Sequence, residues 1–220
     1  MLSCYYINPI YSEALNKAEV LVEEVLSNWN LGEQVVKKGH SSLFRHVIPG
    51  IGNVYIKKYI PNTRKWLRSL RTSNAIRECK NSFVMSRLGI EQPESVLACV
   101  VRDGLRRTRC GVYITREVED AAPLSTILNG ISSEYRGHSL EEIARSVLEV
   151  LDILHNNKYC HWDFKPRNIL VAKGQEGPRI IPIDSRSLSR IYFLNRKAYI
   201  RRDYKFLMQE TLIRDFMLNH

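Results

Sequence analysis

The residues best suited to chemistry lie in one short stretch, HWDFKPRN at residues 161–168. Asp163 can orient a hydroxyl group and accept its proton, and Asn168, five positions later, can hold Mg²⁺. Lys165 stands between them, where it can contact a phosphate in transfer. Phosphoryl transfer requires mainly that the phosphate, the metal ions and the incoming hydroxyl are held in line. The spacing therefore predicts a phosphotransfer site with Asp163 and Lys165 as its catalytic residues.

The elements around this stretch are predicted to hold it on both sides. A long amphipathic helix is expected at residues 140–156, because Ser139 and Glu142 form a capping box and apolar residues recur along one face. Two strands are expected after the stretch, at residues 168–171 and 180–183. The stretch is therefore predicted to be a loop between a helix and a strand pair.

The N-terminal half is predicted to form an antiparallel sheet with one helix. An amphipathic helix at residues 12–29 precedes it, and a second helix fits residues 74–88, with Ser73 as its cap and Gly89 at its end. Short apolar runs separated by turn residues indicate the strands. These strands are expected at residues 34–36, 43–47, 54–60, 95–101 and 111–118.

The stretch at residues 161–168 resembles the catalytic loop of the protein-kinase-like superfamily. The resemblance implies an α+β fold with two lobes, an antiparallel N-lobe sheet plus one helix and a reduced, mainly helical C-lobe. Residues 1–117 would form the N-terminal lobe with its helical extension. Residues 118–220 would form the short C-terminal lobe, and the two lobes together would make one kinase domain. ATP and Mg²⁺ are the cofactors that the resemblance implies.

The same resemblance assigns residues to the nucleotide and the metal. Asp184, after the strand at 180–183, matches the aspartate that holds Mg²⁺ together with Asn168. Lys57 matches the strand lysine that contacts the α- and β-phosphates. Glu78 is expected to pair with Lys57, because it is the only acidic residue between Lys57 and Gly89.

Two further segments complete the nucleotide site that the resemblance implies. Glu117 and Val118 would stand at the hinge between the lobes, where backbone groups bind adenine and side-chain identity carries no information. Gly39 and Ser41 lie in the segment predicted to cover the phosphates, which has one glycine where the kinase pattern has three. Backbone amides and serine hydroxyls of that segment can still contact phosphate. His161 is expected to order the loop rather than to do chemistry.

Departures from the protein-kinase pattern favour a substrate other than a protein. The sequence after Asp184 contains no Ala-Pro-Glu segment, and Ser185-Arg186 replaces the usual Phe-Gly. Trp162 stands where many regulated kinases carry an arginine that binds a phosphorylated activation loop. A small molecule, a sugar or a lipid-linked glycan is therefore the expected acceptor.

Over most of its length the chain is similar to the bacterial lipopolysaccharide core kinases, the Kdo/heptose kinase family. The family resemblance implies a kinase with an alcohol group as acceptor, which phosphorylates a sugar hydroxyl of the lipopolysaccharide inner core at the cytoplasmic face of the inner membrane. Besides the catalytic stretch, the segments that carry it are VYIKKY at 54–59, RE at 77–78, LGIEQP at 88–93, YITRE at 113–117 and RRDYKFL at 201–207.

The charge balance favours an anionic partner. The chain has 33 Lys and Arg against 23 Asp and Glu, a net charge of +10. Basic residues cluster at 64–80 and at 186–205, where they can meet a phosphorylated glycolipid, make peripheral contact with an anionic membrane, or face solvent only. Nucleic acid is the less favoured partner and stays an alternative. The five cysteines are scattered without a C-x-x-C pair, so neither a disulfide framework nor a zinc site is expected.

Other functions remain open from the sequence. A small kinase associated with tRNA modification, or a protein Ser/Thr kinase, would use the same catalytic loop on another substrate. A nucleotide-binding interaction protein with a degenerate kinase fold is the alternative from a different class. The complete set of predicted site residues argues against degeneracy, whereas the glycine-poor covering segment favours it.

Overall fold

The structure is a computed structural model that describes residues 2–15, 33–38, 40–60, 72–103, 107–130, 134–192 and 196–207. The chain divides into two compact units. Unit 1 comprises Met1–Lys80 and Pro93–Glu117, and unit 2 comprises Asn81–Gln92 and Val118–His220. The division into lobes at 1–117 and 118–220 remains a prediction.

Unit 1 contains a six-stranded antiparallel sheet with the order β1-β5-β6-β4-β3-β2. Its core lies on one face, where Val54 and Ile56 are fully buried by the alternation of side chains along the strand. The strands are β1 (Leu2–Ile7), β2 (Glu33–Lys38), β3 (Ser41–Ile48), β4 (Gly52–Tyr59), β5 (Ser95–Arg102) and β6 (Thr108–Arg116).

The N-terminal segment differs from the sequence prediction. Strand β1 was not expected, because its mostly exposed residues show no period-two alternation. It pairs with β5, and the segment after it is held by Tyr11, whose hydroxyl donates to Glu94 at 2.8 Å. The helix predicted at 12–29 lies largely outside the described residues, and 12–15 form a turn.

Helix α1 (Asn74–Arg87) begins and ends as its sequence predicts. Ser73 Oγ accepts a hydrogen bond from the amide of Ala75 at 3.3 Å. Gly89 has a φ of +80°, a conformation that glycine adopts without steric cost and that commonly ends a helix. Residues 74–80 of the helix belong to unit 1 and residues 81–87 to unit 2.

Unit 2 packs its helices around short strands. Helix α3 (Leu140–Asn156) has the predicted bounds and the predicted capping box, and it buries an apolar face that includes Leu151 and Leu154. Its other helices are α2 (Leu124–Asn129) and α4 (Arg196–Leu207). Its strands are β7 (Ala121–Pro123), β8 (Glu134–Tyr135), β9 (His138–Ser139), β10 (Tyr159–His161), β11 (Ile169–Ala172), β12 (Arg179–Pro182) and β13 (Leu188–Arg190).

The strands of unit 2 form three small sheets, of which two hold the stretch at residues 161–168. Strand β10 pairs with β13 before the stretch, and β11 pairs with β12 and β7 after it. Phe164, within the stretch, is fully buried in the core of this unit. In the described part of the chain, no helix is both long and apolar enough to cross a membrane.

Candidate active site

The loop after β10 brings together three residues that the sequence predicts as catalytic or metal-binding. The Lys165 ammonium forms an ion pair with Asp163 Oδ1. The Asn168 amide donates from Nδ2 to Asp163 Oδ2 at 3.0 Å and to the backbone oxygen of Asp163 at 3.0 Å. A single 3₁₀ turn, Pro166–Asn168, provides the spacing, because it folds Asn168 back towards Asp163.

These contacts set the charge state of Asp163. Partial burial acts to raise the pKa of its carboxyl group, but the hydrogen bond and charge of Lys165 act in the opposite direction. The hydrogen bond from Asn168 adds to the effect of Lys165, and the net result is a pKa below the ordinary value. Asp163 is therefore ionised at neutral pH, as a group that accepts a proton must be.

The hairpin of β11 and β12 places Asn168 and Asp184 at the same end. The amide of Ile183 donates to the backbone oxygen of Asn168 at 2.8 Å, which closes the open end of the hairpin just before Asp184. Asp184 has a φ of 60°, a left-handed conformation that is uncommon for residues with a side chain and that occurs often at functional sites.

The side chains at this end fit a magnesium ion. Asp184 Oδ1 is buried and forms an ion pair with Arg186 Nε at 2.9 Å, but within the described residues it accepts no hydrogen bond. Asn168 uses its Nδ2 on Asp163, so its Oδ1 is the acceptor that remains. Mg²⁺ usually takes one or two protein oxygens and completes its shell with water and phosphate. Within the described ranges no group of three or more His, Cys, Asp or Glu residues could hold a metal ion.

In unit 1, Lys57 and Glu78 form the predicted ion pair. Lys57 extends from β4 and Glu78 from α1, where the Glu78 side chain is almost completely buried. The hydroxyl of Tyr59, two residues after Lys57 on the same face of the strand, also donates to Glu78. Lys58 lies on the opposite face with Ile56 and is buried, with 4% of its surface exposed.

At the predicted hinge, Glu117 is engaged within unit 1. Its carboxylate accepts hydrogen bonds from Arg45 at 2.8 Å and from Tyr55 at 3.3 Å. Its backbone amide donates to the carbonyl of Asn53 at 2.9 Å, so this amide is not available to a ligand. The amide of Val118 has no hydrogen-bond partner among the residues described, which leaves Val118 as the better candidate of the two.

Of the two residues predicted to cover the phosphates, the structure describes only Ser41. Gly39 lies outside the described residues. Ser41 is the first residue of β3 and pairs across the sheet with Lys38 and Tyr59. The role of both residues in covering the phosphates stays a prediction.

Sequence reasoning missed Asp203, which supports the catalytic loop from α4. Asp203 is fully buried, and its Oδ2 accepts a hydrogen bond from the amide of His161 at 2.8 Å. His155 Nε2 lies 3.1 Å from the same oxygen. His161 is fully buried as well, and burial lowers the pKa of its imidazole, so this histidine is neutral and orders the loop. A signal was present, because Asp203 is the only acidic residue of α4.

Asn81 was also missed. It lies on α1, and its Nδ2 donates to the backbone oxygens of Ser185 at 2.8 Å and Leu188 at 3.3 Å. The segment that follows Asp184 is therefore held by an amide side chain. Protein kinases carry Phe-Gly after the metal-binding aspartate, whereas this chain has Ser185-Arg186 and uses hydrogen bonds to backbone oxygens instead.

The geometry can be compared with known proteins. Residues 36–214 match the model of the lipopolysaccharide kinase (Kdo/WaaP) family. The chain belongs to this family. It is therefore a kinase, and the family resemblance found in the sequence is confirmed. A comparison with curated protein sequences gave no match.

Solved structures agree on the fold. The structure titled "WaaP in complex with acyl carrier protein" is similar with a TM-score of 0.62 and 13% identity, over 93% of this chain and 78% of that chain. The Rio2 kinase–ADP/Mg²⁺–phosphoaspartate complex from Chaetomium thermophilum is similar with a TM-score of 0.57 and 16% identity, over 86% of this chain and 57% of that chain. The α+β protein-kinase-like fold predicted from the sequence is thus confirmed.

Proposed function

We propose that this lipopolysaccharide kinase family member is an ATP- and Mg²⁺-dependent enzyme that transfers the γ-phosphate of ATP to a sugar hydroxyl of the lipopolysaccharide inner core. The observation that carries the proposal is the ionised Asp163 carboxylate between Lys165 and Asn168. Family membership supplies the substrate class.

Asp163 is the general base in this proposal. One of its oxygens accepts the proton of the sugar hydroxyl as the hydroxyl oxygen bonds to the γ-phosphorus. The bond from that phosphorus to the bridging oxygen breaks, and ADP leaves. Lys165, which pairs with Asp163 in the structure, turns towards the phosphoryl group when ATP is bound. Asn168 and Asp184 would hold Mg²⁺, which neutralises negative charge on the phosphates.

In this proposal, Lys57, Gly39 and Ser41 of unit 1 and Val118 of unit 2 bind the nucleotide. Lys57 contacts the α- and β-phosphates, and its ion pair with Glu78 fixes the direction of its ammonium group. The backbone amide of Val118 binds adenine. Ser41, with Gly39, covers the phosphates, as the sequence predicts.

The proposed site of action is the cytoplasmic face of the inner membrane, where ATP and a lipid-linked core sugar meet. Exposed basic residues of the described chain support peripheral contact with anionic lipid, among them Arg77 and Lys80 in the first basic cluster. We expect the chain to sediment with anionic vesicles at low salt and to dissociate as salt is raised, because salt screens such contacts.

The acceptor is identified by incubating the chain with γ-labelled ATP, Mg²⁺ and one of three pools: lipopolysaccharide core oligosaccharide, tRNA or peptide. Label should enter the core oligosaccharide alone, and a chelator should prevent it. Mass spectrometry of the labelled sugar then locates the phosphate. Label in tRNA or peptide would support the other kinase classes, and a chain that binds ATP without labelling any pool would be an interaction protein.

Asp163→Ala is the matched control for this assay. Loss of the general base should lower the rate by about 10²–10⁴-fold. ATP binding and the thermal unfolding midpoint should stay close to those of the unchanged chain, since Asp163 is partly exposed at the end of a loop. Full turnover by a folded Asp163→Ala variant would remove Asp163 from the catalytic role.

A further inference from the structure

A cation lies against the residue that precedes the catalytic carboxylate. The guanidinium carbon of Arg202, on α4, is 4.4 Å from the centre of the Trp162 ring. Tyr199, one turn earlier on α4, packs edge-on against the same ring with a centroid distance of 4.9 Å. Trp162 and Tyr199 are half-buried, whereas Arg202 is exposed. The aromatic pair therefore holds an arginine at the surface beside the catalytic loop.

The position of this arginine is fixed by the next residue. Asp203 is fully buried and accepts the hydrogen bond from the amide of His161. Two contacts thus join α4 to the loop: Arg202 lies over the ring of Trp162, and Asp203 accepts from the amide of His161. Helix α4 cannot slide along the loop without breaking both of them. The guanidinium group is consequently held against the residue that precedes Asp163 in the loop.

The contact with the ring leaves the guanidinium group able to bind an anion. A cation–π contact uses the positive charge of the group and no hydrogen-bond acceptor, so its N–H donors stay available to another partner. A guanidinium group can donate two parallel hydrogen bonds to the two oxygens of a carboxylate or phosphate group. In the part of the chain that the structure describes, Arg202 has no ion pair with an acidic side chain.

The surrounding surface adds positive charge. Lys197, Arg201 and Lys205 recur at every fourth position of α4, so they lie along one face, and all three are exposed. Such a face attracts anions over a distance through its summed charge, to which each single residue adds little. Among the described basic side chains of α4, only Arg202 contacts an aromatic ring of the loop, and it is therefore the one that can orient an anionic ligand.

We propose that Arg202, held over the ring of Trp162, binds an oxyanion of the acceptor glycan and thereby positions its hydroxyl group for Asp163. The oxyanion is a phosphate or a carboxylate carried by the glycan. This inference rests on the proposed function, because it assumes that the acceptor is a core oligosaccharide. Arg202 is then a specificity-determining residue, and the acceptor must be anionic.

The test compares Arg202→Gln with Arg201→Gln. Both variants remove one exposed positive charge from α4, but only the first removes the contact with Trp162. Initial rates are measured against O-deacylated core oligosaccharide and, separately, against ATP. Arg202→Gln should raise the KM for the oligosaccharide about tenfold or more, because a charge-assisted pair is lost. In Arg202→Gln, kcat and the KM for ATP should stay within about twofold of those of the unchanged chain. In Arg201→Gln, kcat and both KM values should stay within the same range.

Modified acceptors identify the oxyanion. One sample of the oligosaccharide is treated with phosphatase, and in another the carboxyl groups are reduced. If Arg202 binds a phosphate, the phosphatase should raise the KM of the unchanged chain to that of Arg202→Gln. If Arg202 binds a carboxylate, reduction of the carboxyl groups should do so instead. If the difference survives both treatments, or if Arg201→Gln has the same effect as Arg202→Gln, the proposal is wrong and the face of α4 acts only through its total charge.

A binding measurement separates this inference from the proposed function. Titration calorimetry with the same oligosaccharide, without ATP, should give an affinity about tenfold weaker for Arg202→Gln than for the unchanged chain. A chain that binds oligosaccharide in this way but transfers no phosphate would contradict the proposed function and retain the anion site. Equal affinities of the two proteins would overturn the anion site even if phosphate is transferred.

Discussion

The charged residues of the two units are held in place in different ways. In unit 1, Lys57 and Glu78 extend from a strand and a helix, whose backbones are fixed by regular hydrogen bonds. In unit 2, Asp163 and Lys165 lie in a loop between β10 and a single 3₁₀ turn. That loop is supported by individual polar side chains, of which Asp203 is the most buried. A single substitution should therefore disturb the loop more than the ion pair.

The largest effect is expected from Asp203→Ala. This substitution leaves the amide of His161 and the ring of His155 without their buried acceptor. Because each such loss costs about 1–3 kcal/mol, the free energy of unfolding should fall by about 3 kcal/mol. The loop would also lose its support, and kcat should fall about a hundredfold. Urea denaturation and steady-state kinetics measure the two effects.

Asp203→Asn is the control, because its side-chain oxygen can still accept from the amide of His161. It should recover a large part of both kcat and stability. If the free energy of unfolding of Asp203→Ala remains within about 0.5 kcal/mol of that of the unchanged chain, other contacts support the loop, and the contrast between the units does not hold.

The sequence predicts the residues on regular elements better than the side chains that support the loop. Helix α3 was predicted because a capping box and an apolar face are local signals. The Lys57–Glu78 pair was predicted from the resemblance of the strand to that of kinases, together with the lone acidic residue that follows it. The supports of the loop were not predicted. Asp203 is 42 residues from the amide that it binds, and Asn81 is 104 residues from Ser185. A hydrogen bond from a side chain to a distant backbone group leaves no periodic pattern, so only the folded chain reveals it.

The next effect concerns Lys165→Met. Removal of the ammonium group deletes the main contact that opposes burial at Asp163, so the pKa of Asp163 should rise. The active carboxylate form exists above that pKa, and the acid limb of the profile of kcat/KM against pH should therefore move to higher pH. The rate at neutral pH should also fall, by about tenfold to a hundredfold, because the positive charge of Lys165 no longer stabilises the phosphoryl group in transfer.

Lys173→Met is the control for this profile, since Lys173 is exposed and, among the residues described, does not contact Asp163. Its acid limb should coincide with that of the unchanged chain. An acid limb that does not move in Lys165→Met would mean that Asp163 is not the group that titrates there.

Asn81→Leu should have a smaller effect, confined to the segment that follows the proposed metal-binding residue Asp184. It removes two hydrogen bonds to the backbone after Asp184 while retaining a side chain of similar size. Nucleotide affinity in the presence of Mg²⁺ should weaken about tenfold, and affinity without Mg²⁺ should change less than about twofold. Fluorescent ATP-analogue titrations with and without Mg²⁺ measure both.

Asn157→Leu is the matched control for Asn81→Leu. Asn157 also donates from its side chain to a backbone oxygen, that of Ile153 at 2.8 Å, but it lies at the exposed end of α3. It should alter neither affinity. Equal weakening with and without Mg²⁺ in Asn81→Leu would assign Asn81 to general packing rather than to the position of Asp184.

The smallest effect is expected from Tyr59→Phe, which removes one donor from the carboxylate of Glu78 in unit 1. The loss of one buried hydrogen bond should lower the free energy of unfolding by about 1 kcal/mol. Because β4 and α1 still present Lys57 and Glu78 to each other, ATP affinity should remain within about twofold. A loss of ATP affinity as large as that in Asn81→Leu would show that the ion pair also depends on a single side chain. The two units would then differ in their secondary structure but not in how they hold their charged groups.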